Sequence, residues 1–252
     1  MKTSKPKTFF LLFLAALIGG GGLLTFILFL FRGSFNFVDL GLHPFQALLI
    51  NAALCLVFFA QHSLMARKPF REWLKIFLPS PYNGAIYAVA SGIAVIALVI
   101  FWQDSELMIF SVQGFVRLLF RGVFVLPIAG VVWTVFSLGF FVNFRVQSMV
   151  DDLRDRQSSV SLVTDRGPYR YIRHPLYLSS LLMIWSNPDL TLDRLLFNLV
   201  FTIWIVVAIL LEERDLVSAF GDPYRSYQDE VPMLIPFRIN LSIKNEPDMS
   251  IE

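Results

Sequence analysis

The sequence predicts an all-α fold, a polytopic membrane bundle of five or six transmembrane helices, and three observations predict it. Hydrophobic residues make up 56% of the 252 residues, 26 of them phenylalanine, and the mean hydropathy is +0.64. That balance does not suit a soluble domain. Apolar runs long enough to cross a bilayer recur along the chain with few charges inside them. The basic residues, finally, collect in alternate connections between those runs.

Taken in order, Lys2, Lys5 and Lys7 precede an apolar run from Phe9 to Phe31. It is longer than the apolar core of a signal peptide and lacks a small-residue cleavage site, so it reads as a retained first span. Gly19 to Gly22 within it allow close helix packing or a bend. Further spans are expected over about 44–65, 84–102 and 118–142. The region 145–174 is too charged to cross. Two more apolar segments follow at about 176–185 and 195–211, with Asn187, Pro188 and Asp189 between them as a tight turn. They read as a helical hairpin whose first arm is short for a full crossing, which leaves the count at five or six. The tail 238–252 is polar and reads as disordered.

With six crossings and a cytoplasmic N-terminus, residues 1–8, 66–83, 145–174 and 212–252 share the cytoplasmic side. They hold 17 of the 21 Lys and Arg, leaving Arg32, Arg117, Arg121 and Arg194 opposite. That asymmetry sets the orientation. A net charge of +2 gives no footprint for nucleic acid. The single cysteine, Cys55, excludes an internal disulfide. His43, His62 and His174 lie far apart without metal-ligand spacing, so no metal site is expected.

The polar stretch Arg166-Gly167-Pro168-Tyr169-Arg170-Tyr171-Ile172-Arg173-His174-Pro175-Leu176-Tyr177 stands out at a membrane boundary. On the same side the second arm of the hairpin ends in Glu212-Glu213, so the two feet of the hairpin can meet. Pro175 suits the first turn of a helix, and the free N–H groups after it suit an anion. Arg173 or His174 adds positive charge, while Glu212 accepts from an ammonium or a ribose. S-adenosylmethionine presents that set of groups. The alternative is that Arg173 pairs with Glu212 or Glu213 only to neutralise charge near the bilayer.

Tyr169-Arg170-Tyr171-Ile172-Arg173-His174-Pro175-Leu176-Tyr177 resembles the signature of the isoprenylcysteine carboxyl methyltransferase family. So do Glu212-Glu213-Arg214-Asp215-Leu216, Phe220-Gly221-Asp222-Pro223-Tyr224, Tyr227, Val231-Pro232 and Ile235-Pro236-Phe237. The resemblance covers about the last hundred residues and implies a membrane methyltransferase that uses S-adenosylmethionine without a glycine-rich Rossmann loop; no G-x-G-x-x-G occurs here. It implies a cytoplasmic cofactor pocket, within 143–237, built from Gln147, Ser161, Leu162, Val163, Thr164, Tyr169, His174, Pro175, Leu176, Tyr177 and Glu212. Tyr224 and Tyr227 are expected to pack an amphipathic tail against the membrane surface.

The acceptor is a separate question. Prenylcysteine-specific members place an arginine one helical turn before the glutamate, where this sequence has Ala208. A buried carboxylate needs a counter-charge, so the substitution argues against a prenylcysteine acceptor. Gln61-His62-Ser63-Leu64-Met65-Ala66-Arg67 is similar to the matching stretch of the methanethiol S-methyltransferase and nurim-like branch. Phe144-Arg145-Val146-Gln147 departs from the Gly-Leu-Arg-Gln-like stretch usual in the former. The resemblance implies S-methylation of a small thiol such as methanethiol, in a bacterial cytoplasmic membrane. Isoprenylcysteine O-methylation, another lipophilic acceptor and a non-catalytic membrane protein are the alternatives. His62, as base or positioning group, and Arg173, as charge stabiliser, are the catalytic candidates. For His62 the alternative is a hydrogen-bonded interfacial histidine, and for Arg173 a partner that holds Glu212.

Overall fold

The computed structural model describes residues 4–138, 146–153 and 167–235. Ser161, Leu162, Val163 and Thr164, and the tail 238–252, lie outside the described residues. The chain is an integral membrane protein built as an all-α bundle. Among the described residues five helices are long and apolar enough to cross a bilayer. On one of them Leu126 and Phe136 expose 70% and 83% of their surfaces, a pattern suited to hydrocarbon rather than water.

The first helix, α1 (Lys5–Arg32), widens to a π-helix over Ala15–Gly20. Helix α2 (Pro44–Ala66) opens on a proline in its first turn, and the His43 N–H donates to the Gln46 side chain at 3.2 Å. That bond satisfies a donor the helix start leaves open. A short basic and aromatic helix, α3 (Lys68–Leu74), follows at once, and then α4 (Asn83–Phe101). The backbones of α1 and α4 touch. A Cβ on Gly22 would lie 2.7 Å from Gly92 Cα, and one on Gly92 only 2.3 Å from the Ile18 carbonyl oxygen. The glycines therefore serve packing within the chain.

After strand β1 (Met108–Ser111) come α5 (Gly114–Leu138) and the short α6 (Gln147–Leu153). Helix α7 (Pro175–Trp185) has eleven residues, about 16 Å of rise, roughly half a hydrocarbon core. The expected tight turn after it is different in the structure. Asn187 does fold back locally, its Oδ1 accepting the Asp189 N–H at 2.9 Å, but the chain then extends as β2 (Asp189–Thr191). Strand β2 pairs antiparallel with β1, Ser111 opposite Asp189 and Met108 opposite Thr191. Meanwhile the Asn187 amide donates to the carbonyls of Leu30 and Phe31 at the end of α1. The extended residues thus carry the chain to the level where α1 ends, finishing what the short helix starts. Arg117 clamps this corner through two bonds to Asp189, at 2.8 and 2.5 Å.

Helix α8 (Leu192–Phe220) returns through the bundle and runs well past its apolar stretch, stopping at Gly221 with φ 63°. The chain then folds into α9 (Asp222–Glu230). The core lies among α1, α2, α4, α7 and α8: Phe29 and Phe197 meet Trp102 edge-on, and Leu30, Cys55, Phe59 and Ile209 are buried around them. Edge-to-face rings at these distances are favourable beyond their area. At the β1–β2 end, Asp193 is buried and accepts from Trp102 Nε1 at 2.9 Å and from the Ser105 N–H at 3.2 Å.

Candidate active site

At the other end of the bundle, α7 and α8 bring the polar stretch before Pro175 against the acidic pair Glu212-Glu213. Two adjacent residues on a helix point about 100° apart, and the two glutamates do different things. Glu213 turns to Arg173 and His174. Arg173 Nε reaches its Oε1 at 2.6 Å and Nη2 its Oε2 at 3.2 Å, while His174 Nε2 lies 3.0 Å from Oε1 and Gln228 Nε2 donates to Oε2 at 2.9 Å. Arg173 Nη1 also donates to the carbonyls of Gln228, at 2.9 Å, and of Val231. The backbone N–H groups of Arg173 and His174 donate to the carbonyls of Pro232 and Met233 at 2.9 and 3.1 Å. A buried guanidinium with its carboxylate and carbonyls satisfied is stable; with one partner removed it is not.

Glu212 faces the other way, into a cavity of about 560 Å³ between α1, α2, α4, α5, α7 and α8. Tyr177 OH donates to Glu212 Oε2 at 2.8 Å, and Leu176 lines the same wall. Tyr169 sits close by: burial pushes its phenol well above the ordinary range, with the Glu212 charge adding to the effect. Gly167, at φ 54°, starts the turn that holds Tyr169, and a Cβ there would fall 1.9 Å from Ser137 Oγ. Arg67 and Asp215, paired at 2.5 Å, also border the cavity.

His62 lines the cavity from α2, opposite Tyr177. Its Nε2 is 2.7 Å from Tyr87 OH and its Nδ1 3.2 Å from Ser91 Oγ. Tyr87 and Ser91 were not singled out by sequence reasoning. Their signal was two polar residues four apart, and so on one face, within an otherwise apolar span. Ala208 also lines the cavity, one turn before Glu212, so no cation stands at that position.

The structure therefore brings Leu176, Tyr177, Glu212 and His62 into one cavity, with Tyr169 close enough to feel the charge of Glu212. It gathers Arg173 and His174 into the Glu213 knot beside it, with Pro175 buried at the start of α7. Gln147 lies elsewhere: its amide donates to Asp151 at 2.6 Å, while Val146 and Met149 pack on Ala15 and Tyr82 at the foot of α1 and α4. Tyr224 and Tyr227 turn inwards rather than towards the membrane surface. Both are buried against Leu216, Val217 and Phe220, and Tyr227 OH donates to the Tyr169 carbonyl at 2.6 Å. The apolar end of α8 outcompetes the interface for their rings, and the hydroxyl finds a partner there. Among the described residues no three His, Cys, Asp or Glu side chains are placed to hold a metal ion.

The fold and cavity define a polytopic helical membrane protein with a polar foot under an apolar chamber, and comparison with known proteins gives its chemistry. The chain is 34% identical over 193 residues to the methanethiol S-methyltransferase of Pseudomonas deceptionensis, an alignment covering 75% of this chain and 73% of that protein. It is 33% identical over 193 residues to the methanethiol S-methyltransferase of Mycobacterium tuberculosis, covering 76% and 79%. A shorter match, 42% over 80 residues, covers 30% of this chain and 33% of the protein-S-isoprenylcysteine O-methyltransferase of Schizosaccharomyces pombe. No family model and no solved structure matches the chain. The protein is an integral membrane methyltransferase. It belongs to the methanethiol S-methyltransferase family.

Proposed function

We propose that the protein moves the methyl group of S-adenosylmethionine to a small thiol, with methanethiol the first acceptor and dimethyl sulfide the product. The observation that carries this reading is a single cavity that joins the Tyr177–Glu212 pair on one wall to the His62–Tyr87 pair on the other. The names of the relatives support the acceptor, and Ala208 supports one that brings no carboxylate.

The residues present fit the donor. Glu212 is a carboxylate turned into the cavity, already accepting one phenol, and suits an ammonium or ribose hydroxyl. Tyr169 and Tyr177 add aromatic surface for a cation or a ring. Ser161, Leu162, Val163 and Thr164 belong to the proposed donor site together with His174, Pro175 and Leu176, whereas Gln147, bonded to Asp151 away from the cavity, stands apart from it. When bound, the donor supplies an electrophilic methyl on a sulfonium. The chain's own work is to hold the acceptor sulfur in line with that methyl, to keep water out and to take the thiol proton. His62 is the proposed base, with Tyr87 fixing its ring; Arg173 acts through Glu213, which sets the neighbouring Glu212.

The concentration of Lys and Arg on the side of this foot supports a cytoplasmic donor site and N-terminus. Bacterial relatives support the bacterial cytoplasmic membrane. Detergent-solubilised protein titrated with S-adenosylmethionine in a calorimeter is expected to bind it. Glu212→Ala is expected to weaken binding at least about tenfold, the worth of one hydrogen bond to a charged group. Cells expressing the protein and fed methanethiol are expected to release dimethyl sulfide into the headspace. A folded sample that binds no donor would sink the reading.

A further inference from the structure

The cavity is larger and more apolar than an acceptor of two heavy atoms requires. Of the proposed donor residues that are described, Leu176, Tyr177 and Glu212 line it, and the rest of its described wall rises from that polar foot between α2 and α8. Along α8, Glu212, Ala208, Trp204 and Phe201 all face it, a run of about 16 Å at 1.5 Å per residue. From α2, Phe59 stacks on Trp204 with ring centroids 4.7 Å apart, and Phe58 stacks on Phe201 at 6.0 Å. The chamber's 560 Å³ is the size of a site for a whole organic molecule, and its upper part is walled by aromatic rings with no charge among them. His62 and Glu212 both line it at its polar end, with Arg67 and Asp215.

Resting on the thiol-methylation reading above, we infer that the enzyme also S-methylates larger apolar thiols, medium-chain alkanethiols and arenethiols. The sulfur lies at the His62 foot and the tail lies along the Phe59–Trp204 arm. The S–H proton passes to the His62–Tyr87 pair and on to water. The thiolate sulfur then uses a lone pair to form the new S–CH₃ bond, while the methyl–sulfonium bond breaks with its electron pair left on the departing sulfur. The products are an alkyl or aryl methyl sulfide, the neutral thioether of the donor and one proton. An apolar tail suits this arm for the same reason that a prenylcysteine does not: the tail asks for burial, and no cation waits for a carboxylate at Ala208.

The test compares methanethiol with 1-hexanethiol on the full-length protein in bacterial-lipid nanodiscs with S-adenosylmethionine, methyl sulfides being quantified by gas chromatography. Each buried methylene is worth about fourfold, so kcat/KM for hexanethiol is expected to exceed that for methanethiol at least about tenfold. Ala208→Leu narrows the passage from foot to arm and is expected to bring that ratio down towards one. Without donor, hexanethiol is expected to change the tryptophan fluorescence of the wild type and not of Trp204→Phe, a readout that needs no turnover. Methanethiol turnover with hexanethiol no better, and no Trp204 response, overturns this inference alone. If neither thiol is methylated, the thiol reading falls with it.

Discussion

Glu212 and Glu213 are neighbours in sequence with opposite duties, and the difference is one of helix geometry. The sequence shows an acidic pair below an apolar run and a cluster of arginine, histidine and tyrosine to meet it. It does not show which carboxylate meets which, because helix rotation is set by packing along the whole of α8. In the structure Glu213 closes the knot with Arg173, His174 and Gln228, while Glu212 is left to the cavity. Arg173→Ala is therefore expected to destabilise the fold by about 3–5 kcal/mol, the cost of leaving half of a buried ion pair, seen as a lower melting temperature in detergent. Glu212→Gln is expected to leave the melting temperature nearly unchanged and to weaken donor binding. Equal losses of stability in the two variants would contradict this division. Tyr87 and Ser91 escaped the sequence reading for a related reason: a polar side chain in an apolar span acquires meaning only when its partner on another helix, here His62, is known.

At the scale of elements, the apolar helices were legible because a bilayer imposes length and composition on them. The short connection 186–191 was not, since nothing in Asn187-Pro188-Asp189 distinguishes a turn from an extended strand whose partner lies 78 residues away. Two elements carry predictions. Gly92→Ala places a Cβ 2.3 Å from the Ile18 carbonyl and must force α1 and α4 apart, whereas Gly20→Ala meets nothing within 4 Å. Thermal unfolding is expected to show a loss of about 1–3 kcal/mol for the first, typical of overpacking, and little for the second.

The β1–β2 corner answers to pH. The Arg117 guanidinium holds the Asp189 carboxyl below the usual carboxylate range, with Ser111 helping. A carboxyl depressed on folding adds stability above its unfolded value, and that stability is lost as pH falls through the lowered folded value. Amide exchange at Met108–Ser111 is expected to accelerate as the pH is taken below about 4, relative to the intrinsic exchange rate, and Asp189→Asn is expected to remove that acid dependence.

For the whole molecule, the charge map and the packing agree on where the chemistry lies. The knot, the Glu212 foot and the basic helix α3 share one end of the bundle, and the β1–β2 corner with Trp102 and Asp193 occupies the other. The chain beyond Gly221 does more than its composition suggests. The carbonyls of Val231 and Pro232 hold Arg173, that of Met233 holds His174, and Tyr227 holds the Tyr169 carbonyl, so a segment that reads as a surface tail fixes the knot beside the cavity. This arrangement makes sidedness testable. Cys55 is fully buried and should stay silent towards a bulky, membrane-impermeant maleimide, so single cysteines can report position. Arg214→Cys, exposed beside the foot, is expected to react only in inside-out vesicles, and Glu106→Cys, exposed at the opposite corner, only in intact spheroplasts. The reverse labelling would turn the molecule over and put the proposed donor site on the face where S-adenosylmethionine is not made. Because the basic residues and the cavity foot lie on the same side, no inversion could preserve both the charge asymmetry and access to a cytoplasmic donor.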